Sequence, residues 1–330
     1  MSTGEASGTA MSTVFSERRG DLVVVAREVR ADGVVSLTLA DPTGAPLPAW
    51  TPGAHIDLLL DDDLVRQYSL CGSPDDPHRW RIGVLLNAGG RGGSQRVHET
   101  LEVGDEVAVR GPRNHFPLHA APSYVFIAGG IGITPILPMI TAATAAGADW
   151  RLYYGGRSKP TMAFLDELAQ HSDHVVVWPD DERGMLPLEE ILGTPVDGTL
   201  VYCCGPEGLL SATEGWCAAW PSGTLHLERF AAKQQAAPAA GEGAFDVVCQ
   251  RSGVTVSVPP GTSIIDVLEA NGVSALSSCM EGVCGTCETR VLDGRPDHRD
   301  SLLTEDERES NEYMMICVSR SRSERLVLDL

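Results

Sequence analysis

Short apolar runs separated by turn residues fill the first third of the chain. Apolar side chains alternate with polar ones, or run continuously, over residues 22–29, 34–39, 55–60, 81–86 and 106–110. Turn-forming pairs such as Asp32-Gly33 and Pro52-Gly53 stand between these runs. Several short strands at this spacing are typical of an antiparallel barrel or sandwich. We therefore predict an all-β unit over residues 21–118.

The pattern changes in the middle third. Apolar strands at 125–128, 151–154, 174–178 and 200–203 alternate with stretches of helical periodicity. This alternation is typical of βαβ units with a parallel sheet and predicts an α/β unit over residues 119–230. The uncharged stretch 124–148 is long enough to cross a membrane. Its closely spaced glycines and prolines favour instead a strand, a turn and a buried helix.

A third unit of mixed type ends the chain. Strands at 245–250 and 254–258 flank Ser252-Gly253 and predict a hairpin. A helix is predicted over residues 263–270, with Gly272 near its end. The preceding segment, 231–244, is small, polar and proline-containing, which predicts an interdomain linker before a domain at 245–330. Residues 1–20 lack periodicity and predict a disordered tail.

Net charge and cysteine content limit the binding partners and the cellular compartment that we expect. The 330 residues carry 25 Lys and Arg against 45 Asp and Glu, a formal net charge of −20. Such a chain repels phosphate backbones and anionic lipid surfaces, so we expect no nucleic acid and no membrane as partner. Residues 1–16 lack the apolar core of a signal peptide, and nine cysteines do not suit a disulfide framework. We therefore expect a reducing, cytoplasmic setting.

Four of the cysteines carry the strongest chemical signal. Cys279, Cys284 and Cys287 follow a Cys-x4-Cys-x2-Cys spacing, and Cys317 stands further along. This is the plant-type ligand pattern for a [2Fe-2S] cluster, in which soft thiolates hold two irons. Zinc is the alternative, but zinc sites prefer paired Cys-x2-Cys knuckles, which this run fits poorly. We expect an iron–sulfur cluster held by these four side chains.

A glycine-rich turn follows the first strand of the α/β unit. Gly129, Gly130 and Gly132 precede Pro135 and a helical stretch. Glycines there let the backbone approach a pyrophosphate, and the helix start offers free amides. A purely structural turn would carry the same glycines, so the interpretation depends on the βαβ context.

Three further segments stand where ligands are expected. Cys203-Cys204-Gly205-Pro206 ends a predicted strand, which is where open α/β sheets bind ligands, but no neighbouring base indicates a nucleophilic thiol. In the β unit, Arg66-Gln67-Tyr68-Ser69-Leu70 offers a guanidinium, a flat ring and a hydroxyl. The run Gly89-Gly90-Arg91-Gly92-Gly93-Ser94 exposes backbone amides, as an anion-binding nest does. An ordinary strand and a long hairpin loop are the alternatives for these last two.

Five motifs occur in a fixed order: Arg66-x-Tyr68-Ser69-Leu70, Gly111-Pro112-x-Asn114-x-Phe116, Gly130-x-Gly132-x-x-Pro135, Cys204-Gly205-Pro206 and the four cysteines. Together they resemble the phthalate dioxygenase reductase family, which includes the vanillate demethylase reductase subunits, over about residues 21–330. The resemblance implies an antiparallel flavin-binding β-barrel, a ferredoxin-reductase-type α/β nucleotide domain and a C-terminal β-grasp ferredoxin. The order of the motifs excludes related reductases with an N-terminal ferredoxin.

The resemblance also assigns roles to individual residues. Those that would line the flavin are Arg66, Gln67, Tyr68, Ser69, Gly83, Val84, Leu85, Thr134 and Phe230. Those that would hold its phosphate, in a form similar to the FMN-binding branch, are Gly92, Gly93 and Ser94. Those that would bind the dinucleotide are Gly130, Gly132, Pro135, Gly205 and Pro206. Cys204, beside the nicotinamide, and Ser69 are the candidate catalytic residues.

In function, the resemblance implies an NAD(P)H-dependent oxidoreductase. Hydride would pass from NAD(P)H to FMN, and electrons would then pass singly through the [2Fe-2S] cluster to an oxygenase. A Rieske-type oxygenase is the first candidate for that partner, and a haem oxygenase is the second. A self-sufficient flavin reductase would need no partner protein, and a non-enzymatic iron–sulfur sensor would need neither the flavin nor the nucleotide motif. We expect the protein to be a monomer.

The residues themselves do not decide whether the coenzyme is NADH or NADPH. After the second strand of the α/β unit, Arg157 and Lys159 are suited to the 2′-phosphate of NADPH. An acidic residue that would select the ribose of NADH does not occur before Asp166. The family resemblance favours NADH.

Overall fold

Three β-sheets of five or six strands organise the chain, whose computed structural model describes residues 17–61, 64–232 and 243–330. Most of the predicted tail and most of the predicted linker lie outside these residues. Each sheet falls within one of the three predicted units, and the boundaries between the units remain a prediction.

The first sheet is antiparallel and has six strands in the order β4-β3-β6-β1-β2-β5. Their bounds are β1 (Arg18–Ala31), β2 (Val34–Ala40), β3 (Ala54–Asp61), β4 (Leu64–Ser69), β5 (Arg79–Leu85) and β6 (Glu106–Asn114). A single bridge between Leu70, just after β4, and Ile82 of β5 joins the two edges. Side chains at alternate positions fill the interior, which is the periodicity seen in the sequence. The predicted antiparallel arrangement is confirmed, but the two edges meet at one bridge only, so the sheet does not form a fully closed barrel.

Two details of this unit differ from expectation. β1 begins at Arg18 and pairs with β6 from Gly111 onward, so the prediction of a disordered tail is wrong for residues 18–20. The glycine-rich run leads into helix α1 (Gly93–Thr100), which the apolar pattern did not reveal. The alternative of a long hairpin loop is therefore wrong as well.

The second sheet is parallel throughout, in the order β11-β10-β7-β8-β9. Its strands are β7 (Ser123–Gly129), β8 (Asp149–Gly156), β9 (Val175–Pro179), β10 (Thr199–Cys204) and β11 (Leu225–Glu228). The helices are α2 (Ile133–Ala145), α3 (Leu165–Leu168), α4 (Asp180–Arg183), α5 (Leu188–Leu192) and α6 (Glu207–Cys217). Phe126 and Ile127 enter different apolar cores, so both faces of the sheet are covered.

The uncharged stretch 124–148 forms the strand, turn and helix that the sequence predicted. Residues 124–148 form most of β7, a short turn at Gly130–Gly132, and α2. Within the described ranges, no helix combines the length and the apolar character needed to cross a membrane.

The third sheet is mixed, in the order β13-β12-β18-β14-β16, with a separate ribbon of β15 and β17. Its elements are β12 (Phe245–Cys249), β13 (Val254–Val258), α7 (Ile264–Ala270), β14 (Glu288–Asp293), β15 (Pro296–Asp297), α8 (Glu305–Ser310), β16 (Tyr313–Met315), β17 (Arg320–Ser321) and β18 (Arg325–Leu328). The predicted hairpin is present as β12 and β13. Ser263 caps α7 by accepting a hydrogen bond from the Asp266 amide at 3.1 Å. This unit has the predicted β-grasp form.

Candidate functional site

One pocket, here called the central pocket, is lined by all three units. From the barrel it takes residues of β4 and β5, and from the α/β unit it takes Ile131, Thr134 and Leu227 to Phe230. The β-grasp unit contributes Ser278, Cys279, Glu281 and Val283. A molecule bound there would touch the barrel, the α/β unit and a candidate cluster ligand at once.

Strand β4 forms one wall of the central pocket. Arg66, Gln67, Tyr68 and Ser69 all line it, which brings together four of the residues predicted from the sequence. Burial raises the pKa of Tyr68 to about 12, so its phenol stays neutral. A neutral aromatic ring beside a guanidinium suits a flat, anionic cofactor such as a flavin phosphate.

Strand β5 contributes only part of what was predicted. Gly83 and Leu85 line the central pocket, but the side chain of Val84 is fully buried in the barrel core. Successive strand residues point to opposite faces, so Val84 faces away from its two neighbours. The Val84 side chain therefore does not line the predicted flavin site. Thr134 meets this strand from the α/β unit, because a Cβ on Gly83 would lie 2.8 Å from the Thr134 methyl group.

The phosphate motif and Arg66 meet at the start of α1. Gly92 has a φ of 81°, and α1 begins at the next residue. The Arg66 side chain lies across Gly93, where an added Cβ would stand 2.4 Å from Arg66 Cγ. Arg66 Nη2 donates to the Arg91 carbonyl at 2.9 Å, and Ser94 Oγ accepts from the Asn87 amide at 2.9 Å. A guanidinium beside the first amides of a helix is an arrangement that binds phosphate.

The dinucleotide motifs meet at the carboxyl ends of β7 and β10. Connections leave these neighbouring strands in opposite directions along the sheet, and such a switch point is where open α/β sheets bind ligands. A Cβ on Gly132 would lie 2.2 Å from the Cys204 carbonyl oxygen, so only glycine fits between the two strand ends. A Cβ on Gly129 would lie 2.7 Å from Pro206 Cδ and 3.4 Å from Gly205 Cα. Gly130 has a φ of 55°, and Pro135 is buried in the first turn of α2.

A carboxyl group that the sequence analysis did not identify joins the two candidate catalytic residues. Ser69 Oγ donates to Glu228 Oε2 at 3.3 Å, and Cys204 Sγ donates to the same oxygen at 3.9 Å. Burial raises the pKa of Glu228 to about 8, so the carboxyl group holds a proton at neutral pH. Burial also raises the pKa of Cys204 well above its usual value, which keeps the thiol protonated and agrees with the absence of a nucleophilic role.

Glu228 was missed because its neighbours come from distant parts of the chain. It is opposite Cys204 in the parallel register of β10 and β11, and it reaches Ser69 across the interface between two units. The local signal is a single acid near the end of a short apolar strand. Phe230, two residues later, was predicted beside the flavin, and its ring lines the central pocket while remaining 46% exposed.

The four predicted cluster ligands are brought together at the edge of the β-grasp unit. The thiol of Cys279 is within hydrogen-bonding distance of Cys284 and Cys317, and Cys317 is likewise next to Cys287. The amides of Glu281 and Thr286 point at sulfur atoms, at 3.3 Å from Cys279 and 3.4 Å from Cys284. Four clustered thiols with amide donors fit a [2Fe-2S] cluster in both ligand number and softness. Cys279 also lines the central pocket, so the cluster site adjoins the predicted flavin site.

Two family models match parts of the chain. Residues 247–322 match a 2Fe-2S iron-sulfur cluster binding domain, and residues 126–215 match an oxidoreductase NAD-binding domain. The matched ranges contain the four cysteines and the glycine-rich turn, respectively.

Curated relatives are similar over nearly the full chain. The chain is 45% identical to the phenoxybenzoate dioxygenase subunit beta of Ectopseudomonas oleovorans, over 91% of this chain and 94% of the relative. It is 40% identical to the phthalate 4,5-dioxygenase oxygenase reductase subunit of Pseudomonas putida, over 94% of this chain and 96% of the relative.

Two solved structures share the arrangement of the units. An intact type IV self-sufficient cytochrome P450 monooxygenase is 45% identical with a TM-score of 0.90, and the match covers 94% of this chain and 41% of that one. A phthalate dioxygenase reductase, described as a modular structure for electron transfer from pyridine nucleotides to [2Fe-2S], is 37% identical with a TM-score of 0.69. That match covers 94% of this chain and 98% of the other. The chain therefore belongs to the phthalate dioxygenase reductase family and is an NAD(P)H-dependent flavin and iron–sulfur oxidoreductase.

Proposed function

We propose that the chain is the reductase component of an oxygenase system and that its partner is a Rieske-type oxygenase. The observation that carries this proposal is the central pocket, which residues of all three units line together. The dinucleotide motifs meet at the β7 and β10 ends, where Ile131 and Thr134 line the pocket, and Cys279 of the cluster site lines the same pocket. A flavin held by β4 would stand between the hydride donor and the cluster.

The flavin in this proposal is FMN. Arg66 and the first amides of α1 would hold its single phosphate, while Tyr68 and Thr134 would flank its ring. When bound, the flavin supplies the chemistry that accepts a hydride and releases electrons singly, and the protein contributes position and electrostatics.

A neutral hydrogen-bonded group stands where the nicotinamide and flavin would meet. At neutral pH Glu228 holds a proton and accepts hydrogen bonds from Ser69 and Cys204. A neutral carboxyl group there places no negative charge beside the hydride transfer. Ser69 and Cys204 keep the carboxyl group in place from two different units.

We further propose NADH as the preferred coenzyme. Lys159 Nζ, suited by position to a 2′-phosphate, is paired with Glu182 Oε2 at 3.1 Å. The amide of Asp181 in α4 donates to the Arg157 carbonyl at 3.1 Å, which brings an acidic helix against this loop. Carboxylates beside the loop disfavour an additional phosphate on the ribose.

The Rieske type of partner is supported by the dioxygenase systems named for the relatives. The fused monooxygenase, whose reductase portion matches with a TM-score of 0.90, favours a haem oxygenase as the second candidate.

Mixing the holoprotein with NADH and each class of oxygenase tests the proposal. We expect the Rieske centre to be reduced at a rate that matches NADH oxidation, a slower reduction of a free cytochrome P450, and slower turnover with NADPH. Faster reduction of the haem protein would replace the first candidate by the second. Full NADH turnover on a small acceptor, with neither protein reduced, would indicate a self-sufficient flavin reductase instead.

A further inference from the structure

The segment that carries three of the cluster ligands contacts the barrel through its polar groups. This segment, residues 277–287, is called the cluster loop below. The Ser277 carbonyl accepts a hydrogen bond from Arg110 Nη2 at 3.3 Å. Ser278, directly before the ligand Cys279, donates from Oγ to Asp57 Oδ2 at 3.3 Å. Two successive residues of the β-grasp unit are thus bonded to strands β3 and β6 of the barrel.

Two further contacts join the cluster loop to the barrel. Glu281 Oε1 pairs at 3.1 Å with Arg91 Nη2, which belongs to the run that precedes the phosphate motif. A Cβ on Gly285 would lie 2.3 Å from His115 Nε2, so the imidazole lies directly against the backbone beside Cys284. The cluster loop therefore contacts the barrel both before its first ligand and between its ligands.

Asp57 is the residue on which these contacts converge. Its side chain is fully buried, and Oδ2 accepts from Arg110 Nε and Nη2 at 2.9 and 2.6 Å. Oδ1 accepts from Arg113 Nη2 at 2.6 Å and from Gln67 Nε2 at 3.0 Å. Gln67 lines the central pocket, so one carboxylate bonds to the predicted flavin wall and to the cluster loop.

Stability alone does not account for a carboxylate in this position. Removing a charge from water is costly, and apolar side chains that fill the same volume commonly stabilise a fold as well or better. Apolar contacts are not directional, whereas each oxygen of Asp57 holds particular hydrogen-bond donors at particular distances. Two of these donors, Gln67 and Ser278, belong to the predicted flavin wall and to the cluster loop, between which electrons must pass.

We propose that Asp57 is a positioning residue that holds the cluster loop against the central pocket and thereby sets the rate of electron transfer from flavin to cluster. This role rests on the proposed function, because it requires both centres. It goes beyond that function by assigning the distance between the centres to a named carboxylate outside both cofactor sites. Arg110 and Ser278 transmit its effect to the loop.

Three variants of the holoprotein separate positioning from folding. Asp57→Asn keeps the shape of the side chain and removes its charge, whereas Ser278→Ala removes only the hydrogen bond between units. Asp41→Asn is the matched control, since Asp41 is a buried acid of the same barrel that bonds to Arg18 and Thr43. Amide hydrogen exchange over residues 277–287 reports loop position without catalysis. Stopped-flow absorbance separates flavin reduction by NADH from cluster reduction.

We expect Asp57→Asn to retain flavin and cluster absorbance, and its rate of flavin reduction should change much less than its rate of cluster reduction. Because a small displacement at a reacting centre is costly, cluster reduction should slow by about tenfold or more. Exchange over the cluster loop should be at least about fivefold faster, and the same changes should be smaller in Ser278→Ala and absent in Asp41→Asn. Unchanged exchange and cluster reduction in Asp57→Asn would overturn the positioning role. If that variant does not fold, unchanged exchange in Ser278→Ala overturns it. Wild-type protein without flavin or cluster absorbance would instead refute the proposed function.

Discussion

At the scale of single residues, Glu228 joins the two candidate catalytic side chains at the central pocket. Its carboxyl group touches Ser69 and Cys204, and burial raises its pKa to about 8. The folded protein therefore binds this proton more tightly than the unfolded chain does. Its contribution to the free energy of unfolding is complete below the ordinary carboxyl pKa and is lost as the pH rises through about 8.

A Glu228→Gln variant tests this protonation state. If the neutral carboxyl group is the competent form, the wild-type rate of flavin reduction by NADH should fall as the pH rises through about 8. The variant is neutral at every pH, so its profile should be flat over the same range, and its unfolding free energy should exceed that of the wild type above this pH. Glu189→Gln, an exposed acid of α5, should keep the wild-type profile. If the rate of flavin reduction in Glu228→Gln still falls as the pH rises through about 8, another group is responsible for the pH dependence.

Phe230→Ala tests the aromatic ring at the rim of the central pocket. Since the ring is 46% exposed, its contact with a flavin should contribute about 0.5–1.5 kcal/mol, or roughly twofold to tenfold in flavin affinity. Tyr313→Ala removes a ring that is 41% exposed on β16 and serves as the control. Flavin fluorescence during titration of the deflavinated protein gives the two affinities. Equal affinities in Phe230→Ala and the wild type would show that this ring does not touch the cofactor.

At the scale of elements, the junction of the glycine-rich run with α1 makes the sharpest prediction. Gly93→Ala would place a Cβ 2.4 Å from Arg66 Cγ, so the guanidinium would have to leave the helix start. Loss of one charge-assisted hydrogen bond to the phosphate should weaken FMN binding by about tenfold to a hundredfold. Gly89→Ala is the control, because its Cβ meets only Asn87 Oδ1 at 3.9 Å. If the two variants bind FMN equally well, the phosphate does not lie at this junction.

Elements with local sequence signals were predictable, and those that depend on distant pairing were not. The strand, turn and helix around Gly132 could be predicted because apolar runs and glycines mark them locally. Helix α1 was missed because it follows glycines and has few apolar residues. The early start of β1 was missed because Arg18 joins the sheet through pairing with β6, and no apolar alternation marks that pairing.

The same distinction applies to the site residues. Cluster ligands follow a spacing along the chain, so Cys279, Cys284 and Cys287 could be assigned from the sequence. Glu228 and Asp57 act through partners that lie far away in sequence, up to the 221 positions that separate Asp57 from Ser278. Val84 was assigned to the pocket as part of a run of three, although alternation within a strand turns its side chain into the core.

At the scale of the whole molecule, the predicted flavin site and the cluster site rest on separate apolar cores. The barrel and the β-grasp unit each have their own apolar cluster, so damage at the cluster site should leave the flavin site folded. Cys284→Ala removes one of four thiolates, and three ligands do not close a plant-type site. The variant should lose its iron, and its β-grasp unit should become less stable because metal binding contributes to folding there.

The most direct measurement compares two electron acceptors for Cys284→Ala and the wild type. With NADH as donor, the variant should keep its flavin and reduce ferricyanide at nearly the wild-type rate, since this small acceptor takes electrons from the flavin. Reduction of cytochrome c, or of the oxygenase partner, should fall to background, because those acceptors require the single-electron relay through the cluster. Protein-acceptor activity that remains complete without iron would contradict the proposed path from NADH through FMN to the cluster.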